Sequence, residues 1–171
     1  MKIESVVTRL KQTVEPALIR LVTPENLAQI AINLPSRLNF FVVQELLNRT
    51  FDEQISDGDF SFLEGRRLQI KVLDAELFVV LSYCNHKIVC LHLSSYPIES
   101  DVILSIATED AIGLIQQQLD PDTLFFQRKL KISGDTDLAH QVKNTIDTLD
   151  PENIPQWVLK IISKYNQKVF V

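Results

Sequence analysis

A chain of 171 residues, 46% hydrophobic and 23% charged, can fill one core and is too short for two comfortable ones. A net charge of −5 and a pI near 5.2 disfavour a nucleic-acid partner, because attraction of cations to phosphate dominates such binding. The glycines at 58, 65, 113 and 134 spell neither GxGxxG nor GxxxxGKS/T, and Cys84 and Cys90 alone make no disulfide framework.

The chain opens on a helical pattern. Ile3, Val6, Leu10, Val14, Leu18 and Leu21 recur at three- and four-residue spacing, with Pro16 a kink or boundary. Glu4, Arg9, Lys11, Glu15 and Arg20 break up the apolar centre that a signal peptide requires, so a cytoplasmic location is expected. Residues 1–34 form an N-terminal helical segment in this reading. A second helix starts at Ser36 after Pro35 and places Leu38, Phe41, Val42, Glu45 and Leu46 at similar spacing.

The period then changes. Asp57-Gly58 is a turn, Phe60 and Phe62 begin a strand, and Glu64-Gly65 turns again. Leu68, Ile70 and Val72 alternate with Gln69 and Lys71, the pattern of a half-solvated strand. Leu77 to Leu81 is continuously apolar and is expected to be covered on both faces. Asn85-His86 turns the chain into Lys87 to Leu93, and Asp101 to Ala107 gives a further strand. From Thr108, a candidate N-cap, the helical period returns through Ala111, Leu114, Ile115 and Leu119. Asp120-Pro121 opens a short helical turn, Leu130 and Ile132 mark the last strand, and Asp135 or Thr136 caps a helix through Leu138, Val142 and Ile146. Pro151 and Pro155 separate a final helix. The fold class is α+β: a mainly antiparallel five-stranded sheet covered by helices, over residues 35–149, with extra helices at both ends.

Catalytic chemistry finds little support. Cys84, His86, Cys90 and His92 resemble metal ligands by type. A two-residue turn at Asn85-His86 would pair Cys84 with Lys87 and Leu81 with Cys90, setting the cysteines about 10 Å apart at strand rise. That is too far for one ion, so no metal site and no cofactor are expected. The pairs Asp57/Asp59, Asp120/Asp122 and Asp135/Asp137 sit at turns or helix starts, where carboxylates cap backbone N–H groups. No catalytic motif is legible.

The last segment, 150–171, is more informative. Trp157 to Val171 contains no acidic residue, and Lys160, Lys164 and Lys168 form a stripe opposite Val158, Ile161, Ile162, Tyr165 and Val169. With Trp157 near the lysine edge, such a helix suits a membrane interface, or packs its apolar face on its own domain. Residues 1–22 are also mildly basic, with four Lys or Arg against two Glu.

From Leu119 to Leu138 the chain reads LDPDTLFFQRKLKISGDTDL, with Val142-Lys143-Asn144 beyond; upstream, Asp57 to Leu68 reads DGDFSFLEGRRL. These strings resemble the sterol-carrier-protein domain family, and within it the UbiT-like bacterial ubiquinone accessory factors, over roughly Pro35 to Asp147. The resemblance implies helices over one sheet face enclosing an apolar tunnel for a lipid tail. It implies a non-catalytic factor that binds polyprenylated quinone intermediates for UbiU- and UbiV-type partners, which hydroxylate the ring without oxygen, and peripheral contact with the inner membrane. A general lipid-transfer or membrane-docking module with phospholipid or fatty-acyl cargo is the alternative. On this reading Phe125 and Phe126, Leu130 and Ile132, and Leu138 and Val142 are candidates for the lining, and Phe41 and Val42 close the mouth.

Overall fold

The computed structural model describes residues 36–156, 158–160 and 162–163. The helix expected over residues 1–34, and the positions Trp157, Lys164 and Lys168, lie outside the described residues. Strands β1 (Leu68–Val72), β2 (Leu77–Cys84), β3 (Lys87–Ser94), β4 (Val102–Ile106) and β5 (Lys131–Gly134) form a sheet in the order β3-β2-β1-β4-β5. The contacts β1–β2, β2–β3 and β4–β5 are antiparallel, as the sequence pattern suggests.

The β2–β3 hairpin follows its sequence. Asn85 and His86 adopt φ of 51° and 55°, the left-handed pair that a two-residue hairpin turn needs. Cys84 pairs with Lys87, and Leu81 with Cys90, as read from that turn. A register shift beyond Leu81 then sets His92 opposite Val80. Cys90 therefore shares the face of Leu81, whereas Cys84 and His92 belong to the other face.

Other local expectations are corrected. β4 does not pair antiparallel beside β3: it crosses the sheet and pairs with β1 in parallel, Leu68 opposite Val102 and Val72 opposite Ile106. The outer edge of β3 is already taken by helix α1 (Ser36–Thr50). Asn48 Oδ1 accepts the Ile88 N–H at 2.9 Å, Asn48 Nδ2 donates to the Ile88 carbonyl at 2.7 Å, and Gln44 Oε1 accepts the Cys90 N–H at 2.9 Å. These bonds turn Phe40, Val43 and Leu47 toward the core, and leave Phe41 and Val42 each 40% exposed. Gln69, expected in solvent, is 1% exposed, because the 95–101 crossover lies over it and the Ile98 N–H donates to its Oε1 at 3.0 Å.

Phe60 and Phe62 do not begin a strand. A 3-10 turn at Ser61–Leu63 brings Phe60 against Phe51, Phe62 and Tyr83, with ring centroids 5.2 to 6.3 Å apart. Helix α2 (Asp52–Asp57) leads into this turn and ends on Gly58 at φ 83°, a position that favours glycine. Asp57 thus closes a helix instead of capping one.

Helix α3 (Thr108–Ile115) starts at the residue expected to cap it, so its cap lies one residue earlier. Ala107 holds the N-cap position without a side-chain bond. Asp74 Oδ1, from the β1–β2 turn, accepts both the Thr108 N–H at 2.9 Å and the Thr108 hydroxyl at 2.8 Å. Helices α4 (Pro121–Phe126) and α5 (Thr136–Asp147) are capped as the sequence predicts, by Asp120 and Asp135. The core lies between one sheet face and the helices, with Leu68, Leu81, Cys90 and Leu104 meeting Leu124, Leu138 and Val142. Residues 158–160 and 162–163 are helical; Val158 and Ile162 pack on Ile112 and Ile115 of α3, and Lys160 is exposed.

Candidate functional site

The candidate lining residues come from three consecutive pieces of chain, each set by local chemistry. Asp120 accepts the Thr123 N–H at 2.7 Å, and Pro121 fills the first helical position, so α4 starts cleanly. One turn later Leu124 is fully buried, and the N–H groups of Lys129 and Leu130 both donate to its carbonyl, at 2.9 and 3.1 Å. The chain reverses through Arg128 at φ 61° and enters β5. There Ile132 pairs with Leu104, and Gly134 with Val102. Asp135 then accepts the Leu138 N–H at 3.0 Å and starts α5.

This path sorts the eight candidates into two groups. Leu130, Leu138 and Val142 are buried, and Ile132 is half-buried against them; together with Leu124 they belong to one cluster between sheet and helices. Phe41, Val42, Phe125 and Phe126 lie at the surface, the last two 45% and 81% exposed. Their alternation with buried neighbours follows from helical spacing: Leu124 faces in, so the two residues after it face out.

Two polar ties join the helical elements to one another. Lys143 of α5 pairs with Asp122 of α4, which raises the lysine pKa further above its ordinary value. Lys129 donates to Asp110 on α3 at 3.0 Å, where the carboxylate is nearly buried. Neither tie was legible in the sequence, because each joins residues about twenty positions apart.

A third polar group was also missed. Arg66 donates to Asp101 at 3.0 Å and to Asp135 at 3.2 Å, and Asp101 also accepts the Arg67 N–H at 2.8 Å. That N–H and the Arg66 guanidinium hold the Asp101 carboxyl below the usual carboxylate range. The Asp101 carbonyl takes the Asp135 N–H at 2.9 Å, so the β1 entry, the β4 entry and the α5 cap meet at one residue. Beside them lies a surface cavity of about 320 Å³, lined among others by Ser61, Phe62, Asp137, Leu138 and Gln141.

The polar side chains that resemble catalytic groups are engaged elsewhere. His92 Nε2 lies 2.7 Å from the Ser94 hydroxyl, but that hydroxyl also contacts the Tyr96 carbonyl at 2.9 Å and the Tyr96 N–H at 3.1 Å, closing the turn after β3. His140 contacts the Asn144 amide on its own helix. Burial pushes the Cys90 thiol up to about 11, far from a reactive thiolate. Of the eight candidates, Leu130, Ile132, Leu138 and Val142 are packed in the core, Phe41, Val42, Phe125 and Phe126 are apolar groups at the surface, and the cavity beside Arg66 is lined mainly by polar side chains.

Comparison with known proteins agrees with that arrangement. Residues 43–147 match the SCP-2 sterol transfer family, an interval that takes in every described strand and the helices from Val43 of α1 to the end of α5. The "Ubiquinone biosynthesis accessory factor UbiT" of Escherichia coli strain K12 is 38% identical over 122 residues, covering 71% of this chain and 68% of that protein. UbiT of Escherichia coli O157:H7 matches to the same extent. Among solved structures, the "UbiJ-SCP2 Ubiquinone synthesis protein" aligns with a TM-score of 0.50 at 18% identity, over 66% of this chain and 96% of that one, which shows a shared fold. The chain belongs to the SCP-2 sterol transfer family.

Proposed function

We propose that this chain is a non-catalytic, lipid-binding accessory factor of ubiquinone biosynthesis. It binds polyprenylated quinone intermediates and presents them, in oxygen-independent synthesis, to ring-hydroxylating partners of the UbiU and UbiV type. The observation that carries this reading is the 38% identity to UbiT across 71% of the chain. Residues 35–149 are the lipid-binding domain, flanked by the N-terminal helical segment and the helix within 150–171.

Physical chemistry supports the assignment. A polyprenyl tail is almost wholly apolar, and hiding it recovers about 25 cal/mol for each Å² removed from water. The tail lies between the sheet and helices α4 and α5, against Leu130, Ile132, Leu138 and Val142, with Phe41, Val42, Phe125 and Phe126 at the rim. Entry requires α4 and the turn after it to part from their helical neighbours, so the Asp122–Lys143 and Asp110–Lys129 pairs act as the ties. The factor works in the cytoplasm and peripherally on the inner membrane. The lysine stripe of the last helix, Lys160 with Lys164 and Lys168 beside Trp157, is one contact.

Organic extraction of protein purified from its own host, followed by mass spectrometry, tests the reading. A polyprenylated quinone precursor is expected in the extract, and deletion is expected to lower ubiquinone chiefly in cells grown without oxygen. A mixed phospholipid cargo with normal quinone levels would assign the general lipid-transfer role instead.

A further inference from the structure

Among the described residues of the last helix, Val158 and Ile162 are spent on α3. A different apolar feature is free. Phe125 and Phe126 stand next to each other at the end of α4, 45% and 81% exposed, and their rings meet edge to face with centroids 6.2 Å apart. Phe126 is the most exposed of the large apolar residues described.

The backbone beneath the two rings is ordered, which distinguishes them from residues on a loose loop. The Asp120 cap, Pro121 and the buried Leu124 fix the helix before them. The Lys129 and Leu130 N–H bonds to the Leu124 carbonyl fix the turn after them. A rigid turn thus holds two phenyl rings out in water.

The residues that follow are cationic. Arg128, Lys129 and Lys131 are all exposed; Lys129 is paired with Asp110, and Arg128 and Lys131 have no ion-pair partner among the described residues. The acid on the same helix, Asp122, is neutralised by Lys143. The segment 125–131 contains no acidic residue, in a chain whose net charge is −5. An anionic surface would repel most of this molecule and attract this segment, which sets the orientation of approach.

We propose that residues 125–131 form a membrane-docking tip, with Phe125 and Phe126 entering the bilayer interface and Arg128 and Lys131 resting on anionic headgroups. Phenyl rings beside cations match the acyl boundary and the charged headgroup layer in the order in which a descending protein meets them. The tip adjoins the layer assigned to the lipid tail, so cargo would pass at the point of insertion. In that respect alone the inference rests on the carrier reading.

Sedimentation of the full chain with vesicles tests it. Wild type is expected to bind vesicles of phosphatidylcholine and phosphatidylglycerol, more weakly as salt is raised, and to bind pure phosphatidylcholine poorly. The double variant Phe125→Ser/Phe126→Ser should lose at least about tenfold in binding, and Phe126→Trp should keep it. Arg128→Glu/Lys131→Glu should lose binding to the anionic vesicles while its purified form still carries extractable lipid. Equal binding of wild type and both double variants, or no binding by wild type, would overturn the tip. Wild-type binding that depends on these residues, in protein that carries no lipid, keeps the tip and removes the carrier. Leu91→Ser, which alters an apolar residue exposed elsewhere, should bind as wild type.

Discussion

At the scale of single residues, Gly134 is the most constrained of the four glycines. Its φ of 112° lies where side chains rarely go, and an added Cβ would stand 2.2 Å from the Asp101 carbonyl oxygen and 2.9 Å from the Val102 Cα. Both neighbours are backbone, at the entry to β4 and its first residue, and neither can swing aside. Gly134→Ala is therefore expected to destabilise the fold by about 3 kcal/mol or more, adding backbone strain to steric overlap. Thermal denaturation with circular dichroism measures this, and a melting temperature within a degree or two of wild type would contradict the account. The Gly134-Asp135 pair is thus explained locally. Gly134 permits close approach, and Asp135 caps α5 while pairing with Arg66.

At the scale of elements, α1 shows how polar side chains choose a helix face. Apolar residues occur on two sides of it, so spacing favours Leu38, Phe41 and Val42 as readily as Phe40, Val43 and Leu47. Gln44 and Asn48, four residues apart, settle the choice by reaching the open N–H and carbonyl groups of β3. They complete the sheet edge as another strand would, and they block the template that an open edge presents to other chains. Asn48→Ala should cost about 1–3 kcal/mol, since it strips partners from both the Ile88 N–H and its carbonyl. Urea unfolding measures that loss, and faster aggregation at high concentration should accompany it. An unchanged midpoint would show that water replaces the amide without penalty. Turn and cap signals were legible in this layer: Asn85-His86, Asp120-Pro121 and Asp135 all act as read. Phe60 to Phe62 was not, because two aromatics around a serine fit a strand and a 3-10 turn alike until Phe51 and Tyr83 are placed beside them.

At the scale of the whole molecule, the Asp101 junction ties the starts of β1, β4 and α5 together through Arg66, Arg67 and Asp135. The folded state holds the Asp101 carboxyl below its ordinary value, chiefly through the Arg67 N–H and also through Arg66. A group depressed in this way contributes stability that is complete above its unfolded pKa, about 3.9, and is lost as pH falls through the folded value. Asp101→Asn lacks the charged contribution at every pH. The difference in urea midpoint between wild type and variant should therefore be clear at neutral pH and should shrink as pH drops below about 4. A difference that stays constant across that window would assign it to packing instead. The Asp120 carboxyl, held low by Thr123, shifts in the same direction and adds to the acid sensitivity of the wild-type background.

Several features were settled by the sequence alone. These are the α+β class, the places of β1 to β5, the register of the β2–β3 hairpin next to its turn and the Asp120 cap of α4, and through the Leu119–Leu138 string the family. Each depends on neighbours within about a dozen residues, where spacing and turn chemistry act directly. Tertiary structure decided the parallel pairing of β1 with β4, the burial of Gln69, the inward face of α1 and the ties through Arg66, Asp101, Asp110 and Lys143. It also divided eight similar apolar candidates into four packed in the core and four exposed at the surface. Those outcomes depend on which surfaces distant segments cover, and a side chain's apolarity states its preference for being covered without naming the segment that will cover it.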